Sequence, residues 1–133
     1  MNFRSLRFIS FLILASTLAL GSAVAQSGPV GKRIDWFNGP FYCGWGILAT
    51  PTDYEAIINN GYPADKIVGG MIGNPTNCNG YVPIPMVAKT LKELVQKYPD
   101  FGGVADWEYY NTLPGGPANP VEWGAIMAKA MGN

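Results

Sequence analysis

The sequence contains no histidine among its 133 residues. Because histidine is the commonest general base and the commonest metal ligand, chemistry that depends on an imidazole is excluded for this chain. Only two cysteines are present, and two thiolates cannot by themselves complete the four-ligand shell of a structural zinc site. We therefore expect no bound metal and no cofactor.

Charge is also scarce, since charged residues make up 14% of the chain and nine basic residues balance nine acidic ones. Two of the basic residues, Arg4 and Arg7, lie in an N-terminal segment that we expect to be removed, which leaves seven basic against nine acidic residues. The resulting net charge of −2 provides no attraction to polyanions. We expect neither nucleic acid nor an anionic membrane as a partner.

The only long apolar run lies near the N-terminus. Two arginines precede an apolar segment, residues 8–20, and a small-residue cleavage motif, AVA, ends at Ala25. We interpret residues 1–25 as a signal peptide, which predicts a secreted, extracellular protein with one domain at residues 26–133. An uncleaved membrane anchor is the alternative, but the run is shorter than the roughly 20 residues that a spanning helix needs.

The two cysteines, Cys43 and Cys78, predict a disulfide, because secretion favours oxidation and the count is even. They follow two consecutive predicted strands, so they would lie near the same edge of a sheet. Two separate buried thiols remain the alternative.

Strand-like and helix-like segments alternate along the rest of the chain. Runs rich in β-branched and aromatic residues predict strands at residues 33–42, 66–72 and 103–107. Apolar residues at helical spacing predict helices at about residues 50–60 and 85–98, and a last one after Asn119. The order β-α-β-α-β-α predicts an α/β fold with parallel strands and right-handed crossovers.

In such folds the binding residues gather on the loops that follow the carboxyl ends of the strands. These loops here carry Tyr42, Cys43, Trp45, Asn74, Trp107, Glu108, Tyr109 and Asn111. Ligand contact and packing are equally good interpretations of Tyr42 and Trp107, whereas Trp45, flanked by glycines, is expected to be exposed. The other large aromatics, Trp36, Phe41 and Trp123, are expected in the core.

Three segments in order carry a family resemblance: DWFNGPFYCGWG at residues 35–46, KIVGG with NP and GY at residues 66–81, and GGVADWEYYN at residues 102–111. Together they resemble glycoside hydrolase family 18, whose chitinase-like members are (β/α)8 barrels. The likeness covers about residues 32–131 and matches the last three βα units. It implies a partial TIM barrel, and we interpret residues 26–133 as a truncated chitinase-like domain.

The resemblance also implies roles for individual residues. Tyr42 stands where the family has a tyrosine that hydrogen-bonds the N-acetyl group of the substrate, and Trp107 where a tryptophan forms the floor of the sugar site. Trp45, Glu108 and Tyr109 complete the predicted substrate-binding set, whose partner would be chitin or N-acetylglucosamine oligosaccharides. The sequence departs from the family by having Pro40 in place of a glutamine and Cys43 in place of an asparagine.

The catalytic motif of the family, D-x-x-D-x-D-x-E, does not occur in this sequence. In that family the glutamate is the general acid and the substrate's acetamido group is the nucleophile, an exception to the two-carboxylate rule. The DWE sequence that ends at Glu108 imitates the end of the motif, but Val104 and Phe101 occupy the earlier acidic positions. We therefore expect no catalytic residue and interpret Glu108 as a polar residue at the end of a strand. The alternative is that Glu108 acts as a general acid.

Three functions follow from these observations. The first is a secreted, truncated chitinase-like protein that binds chitooligosaccharides weakly without cleaving them. The second is a hydrolase that is active only with a partner chain or through Glu108. The third is a non-catalytic interaction protein or a non-functional remnant. Because a three-stranded sheet has two unpaired edges, self-association through those edges is also expected.

Overall fold

The computed structural model describes residues 31–133, so the predicted signal peptide lies outside the described residues. The strands are β1 (Phe37–Pro40), β2 (Ile67–Ile72) and β3 (Val104–Trp107), and the helices are α1 (Thr52–Asn59), α2 (Ile84–Lys97) and α3 (Val121–Met131). The predicted β-α-β-α-β-α order is therefore confirmed. None of the helices within the described range is long and apolar enough to cross a membrane.

The three strands form one parallel sheet in the order β1-β2-β3. Phe37 is opposite Ile67 where β1 meets β2, and Gly69 is opposite Val104 where β2 meets β3. Parallel neighbours require a crossover connection, which α1 and α2 provide. Within residues 31–133, the outer edges of β1 and β3 have no partner strand.

One hydrophobic core joins the sheet to all three helices. In α2, the helical spacing of Val87, Leu91 and Leu94 places all three side chains in this core. Tyr54 of α1 is fully buried, and its hydroxyl group donates to the carbonyl oxygens of Ala64 at 3.0 Å and of Ile67 at 3.1 Å. These hydrogen bonds tie α1 to the start of β2, and burial raises the pKa of Tyr54 to about 12.

Close packing on the sheet explains the glycine pair in β2. A Cβ atom at Gly69 would approach the Leu48 side chain to 2.9 Å, on the face that the helices cover. At Gly70 a Cβ atom would lie 3.1 Å from the carbonyl oxygen of Gly39 and 3.5 Å from the Tyr42 ring. The missing side chain at Gly70 therefore leaves space beside Tyr42.

The first strand differs from its prediction, because it covers only Phe37–Pro40 and is preceded by a 3-10 turn at Gly31–Arg33. The expectation that Trp36 is a core residue is wrong, since 58% of its surface is exposed. The Phe37 ring packs against that of Tyr62 with a ring distance of 5.2 Å, whereas Trp36 precedes the strand and lies outside the core. Phe41 is buried in the core, as expected. Trp123 is partly buried and packs against this core.

Candidate functional site

A cavity of about 350 Å³ lies on the sheet, towards the carboxyl ends of the strands. All three strands contribute to its wall. The lining residues are Asn38, Gly39, Pro40, Tyr42, Gly70, Met71, Ala105, Asp106 and Trp107. The volume falls within the range of small-molecule sites, about 300–1,000 Å³.

Two aromatic residues from non-adjacent strands meet at this cavity. Tyr42 follows β1 and is partly buried, while Trp107 is the last residue of β3 and has 57% of its surface exposed. The peptide bond between Trp107 and Glu108 is cis. The structure thus brings together two of the predicted binding residues, and Gly70, which has no side chain, and Ala105, which has a short one, line the same cavity.

Trp45 does not line this cavity. As expected for an indole between glycines, its side chain is strongly exposed, with 80% of its surface accessible. It borders a second cavity, of about 470 Å³, together with Asp53 and Asn60. The two cavities share Gly39 and Pro40 of β1, so they adjoin each other at this strand.

Glu108 and Tyr109 are exposed and line neither of these two cavities. The regular alternation of β3 ends at Trp107, and the chain then turns into the 3-10 helix Tyr109–Asn111. Tyr109 therefore does not continue the face on which Ala105 and Trp107 lie, although strict alternation predicts that it would.

Asp106 borders the cavity, but its carboxyl group is buried. Both carboxyl oxygens are buried, as is the hydroxyl group of Thr112, and none of the three has a well-formed hydrogen bond within residues 31–133. Burial raises the pKa of Asp106, although the nearby Thr112 hydroxyl and the Gly73 N–H group lower it in part. Ionisation of this carboxyl group is thus less favourable than in water.

The predicted disulfide between Cys43 and Cys78 is present, with a Cα–Cα distance of 5.7 Å. It links the segment after β1 to the β2–α2 loop, residues 73–83. On its other side, this loop contacts the segment after β3 through the side chains of Asn74 and Asn77. The strand-end residues singled out from the sequence include Asn74 but neither Asn77, which the sequence showed only as a polar residue of the same loop, nor the cavity-lining Asn38.

Solved structures resemble this fold, although no family model and no curated protein sequence matches the chain. Among solved structures, a fungal endo-β-N-acetylglucosaminidase of glycosyl hydrolase family 18 aligns with a TM-score of 0.75 and 39% identity, covering 82% of this chain and 38% of that one. Chitinase ChiC from Aspergillus fumigatus aligns with a TM-score of 0.61 and 41% identity, covering 76% of this chain and 37% of that one.

The parallel βα units and the cavity at their carboxyl ends define a barrel-type α/β glycosidase fold of which part is present. The chain belongs to glycoside hydrolase family 18 and corresponds to a partial family 18 barrel. It spans less than two fifths of the length of either of these solved relatives.

Proposed function

We propose that this chain binds N-acetylglucosamine oligosaccharides in the cavity between Tyr42 and Trp107 and does not hydrolyse them by itself. The observation that carries the proposal is the exposed indole of Trp107 on a cavity of about 350 Å³. Two solved relatives support this choice of ligand, because one is named an endo-β-N-acetylglucosaminidase and the other a chitinase.

The chemistry of the cavity suits a sugar ring. An aromatic face such as that of Trp107 packs against the apolar C–H face of a pyranose, while the Tyr42 hydroxyl group and the Asn38 amide can hydrogen-bond its polar edge. The other lining residues named above are small or apolar, apart from Asp106. No strongly charged wall opposes a neutral oligosaccharide.

Two carboxyl groups near the cavity fail the requirements for a general acid. A general acid must come within hydrogen-bond reach of the glycosidic oxygen, about 2.6–3.2 Å. Glu108 does not line the cavity, and both oxygens of Asp106 are inaccessible to solvent. The absence of the D-x-x-D-x-D-x-E motif from this sequence points in the same direction.

Calorimetric titration with chitotetraose tests the binding, and the chain offers a matched control. Trp107 and Trp36 are almost equally exposed, at 57% and 58%, but only Trp107 lines the cavity. Trp107→Ala should weaken binding about tenfold, because aromatic contacts of this kind contribute about 1–1.5 kcal/mol. Trp36→Ala should leave the affinity unchanged. No heat and no fluorescence change at about 1 mM sugar would reject the proposal.

The same titration assigns Trp45 its role. We propose that Trp45 stacks on a further sugar unit of longer chains, since its cavity adjoins the first across Gly39 and Pro40. Trp45→Ala should then weaken binding of chitohexaose and leave chitobiose binding unchanged. Equal effects on both lengths would contradict this assignment.

Hydrolysis is tested with a fluorogenic chitobioside. We expect background rates for the wild type and for Glu108→Gln, because neither carboxyl group near the cavity can reach the glycosidic oxygen. A wild-type rate above background that Glu108→Gln abolishes would establish the alternative of catalysis by Glu108. A rate that appears only after a partner chain is added would establish the partner-dependent alternative.

We also propose that the chain is secreted after cleavage behind Ala25. The exposed position of Cys43 in its disulfide supports an oxidising compartment. Intact mass spectrometry of the protein from culture medium should give the mass of a chain that begins at Gln26 with two fewer hydrogens than the reduced form. Retention of the protein in the cell pellet with its first 25 residues attached would contradict secretion.

A further inference from the structure

The two aromatic residues of the cavity lie on segments that do not pair with each other. Tyr42 follows β1, and Trp107 is the last residue of β3, opposite Ile72 of β2. Because β2 separates β1 from β3, no strand pairing joins β1 directly to β3. Between these segments lies the β2–α2 loop, which has an anchor on each side. The separation of the two aromatic rings therefore depends on this loop as well as on the sheet.

The anchor towards Tyr42 is covalent. Cys78 of the loop forms the disulfide with Cys43, the residue that directly follows Tyr42. The backbone N–H group of Cys43 also donates to the carbonyl oxygen of Asn79 at 3.0 Å. In addition, Gly80 packs closely there, because a Cβ atom on it would lie 3.1 Å from the Cα atom of Tyr42.

The anchor towards Trp107 includes a backbone hydrogen bond, in which the Gly73 N–H group donates to the Trp107 carbonyl oxygen at 3.3 Å. The rest of the anchor is a set of amide hydrogen bonds centred on Asn77. Its side-chain amide donates to the carbonyl oxygen of Trp107 at 3.1 Å and to Oδ1 of Asn111 at 3.0 Å. Asn111 returns a hydrogen bond to Oδ1 of Asn77 at 2.8 Å. A second asparagine, Asn74, donates to the carbonyl oxygen of Asn111 at 2.9 Å.

We propose that the β2–α2 loop sets the separation of Tyr42 and Trp107 for sugar binding, and that Asn77 is the positioning residue on the Trp107 side. The inference deepens the proposed function and rests on it for the choice of ligand. Asn77 does not line the cavity, so it acts through Trp107. A pre-positioned pair of rings binds more tightly, because less ordering remains to be done when the sugar arrives.

Asn77→Ala tests the proposal, with Thr76→Ala as the matched control. Thr76 lies in the same loop, and within residues 31–133 its hydroxyl group donates to Oδ1 of Asn74. Its backbone N–H group, which Thr76→Ala retains, donates to the same oxygen at 3.0 Å, so Asn74 stays held in the control. Asn77→Ala should weaken chitotetraose binding about two- to tenfold, the range that one lost hydrogen-bond anchor supports. In a Trp107→Ala background, Asn77→Ala should cause no further loss, which a general structural defect would not reproduce. Thr76→Ala should bind as the wild type does.

A second measurement needs no sugar. The protein labelled with 5-fluorotryptophan gives resonances from its four tryptophans, and Trp107→Phe assigns the one at position 107. Asn77→Ala should shift, broaden or split this resonance and leave those of Trp36 and Trp45 unchanged. An unchanged Trp107 resonance in Asn77→Ala would overturn the inference. If the wild type binds no sugar, the proposed function fails, and the positioning role is still decided by this resonance.

Discussion

Opening the disulfide between Cys43 and Cys78 tests how far covalent closure stabilises this small domain. The bridge joins residues 35 positions apart. In the chain-entropy model it removes about 2.1 cal/mol/K plus 1.5R ln n from the unfolded chain, which gives about 3.8 kcal/mol at 25 °C for a loop of this length. Typical domains unfold with only about 5–15 kcal/mol, so the bridge would account for a large share of the total.

The expected change in melting temperature follows from the entropy of unfolding. At about 2.1 cal/mol/K per residue, a domain of roughly 100 residues has an unfolding entropy near 0.2 kcal/mol/K. A loss of about 3.8 kcal/mol should therefore lower the Tm by roughly 15–20 °C. Because Cys43 is an exposed residue, a phosphine reductant should cleave the bond to two thiols while it is oxidised to the phosphine oxide, with water supplying the oxygen and the two hydrogens.

Differential scanning calorimetry with and without the phosphine measures the shift. The double variant Cys43→Ser, Cys78→Ser is the control, since it should melt as the reduced wild type does and should not respond to the reductant. A shift below about 4 °C, equivalent to less than about 1 kcal/mol, would refute the argument that loop closure dominates. It would show that the unfolded chain is already restricted, or that the native loop relaxes when the bridge is opened.

Three further substitutions test the packing inside the domain, each by thermal and denaturant unfolding. Gly73→Ala should lower the free energy of unfolding by about 3 kcal/mol, because the added Cβ atom would overlap the Thr112 hydroxyl group and lie 2.5 Å from Asp106 Oδ1. The control is Gly124→Ala, which should raise the free energy of unfolding by about 0.5–1 kcal/mol because the space around Gly124 is open. Asp106→Asn should be more stable than the wild type at pH 7 but not at pH 3. Burial raises the folded-state pKa of Asp106 above its ordinary value of 3.8. The contribution of Asp106 to the free energy of unfolding is therefore complete below pH 3.8 and is lost as the pH rises through the folded-state pKa. Equal stability differences at both pH values would contradict this. Tyr54→Phe should cost about 1 kcal/mol, because the carbonyl groups of Ala64 and Ile67 lose the single hydroxyl hydrogen that they share, while Ala64 keeps the Gly102 N–H group as a donor at 3.0 Å. A change below about 0.5 kcal/mol would show that water replaces the hydroxyl group.

The order of elements was predictable because it rests on local periodicity. The apolar residues of α2 repeat at helical spacing, and the predicted range, residues 85–98, differs from Ile84–Lys97 by one residue at each end. The limits of β1 were not predictable in the same way. Aromatic residues are abundant on both sides of that segment, so composition did not show that Trp36 faces solvent while Phe37 faces Tyr62.

The candidate site was predictable only in its strand-end residues. Tyr42 and Trp107 lie at the carboxyl ends of strands, where the topology of parallel sheets places binding residues. The contact between Asn77 and Asn111 joins residues 34 positions apart and depends on how two loops fold back on each other. No local pattern encodes such a pair, and the turn after Trp107 that removes Tyr109 from the cavity face is likewise a tertiary feature.

Sugar binding and sugar cleavage make different demands on this fold, and under the proposed function the cavity meets only the first. Binding needs an exposed aromatic face held at a fixed distance from polar groups, which Trp107 and Tyr42 supply from strand ends that the β2–α2 loop connects. Cleavage needs a proton donor that reaches the glycosidic oxygen. Burial raises the pKa of Asp106, but its oxygens are buried beside Thr112 and Gly73. Asp106 and Trp107 are consecutive residues of β3, so any movement of the strand that exposed this carboxyl group would displace Trp107 as well.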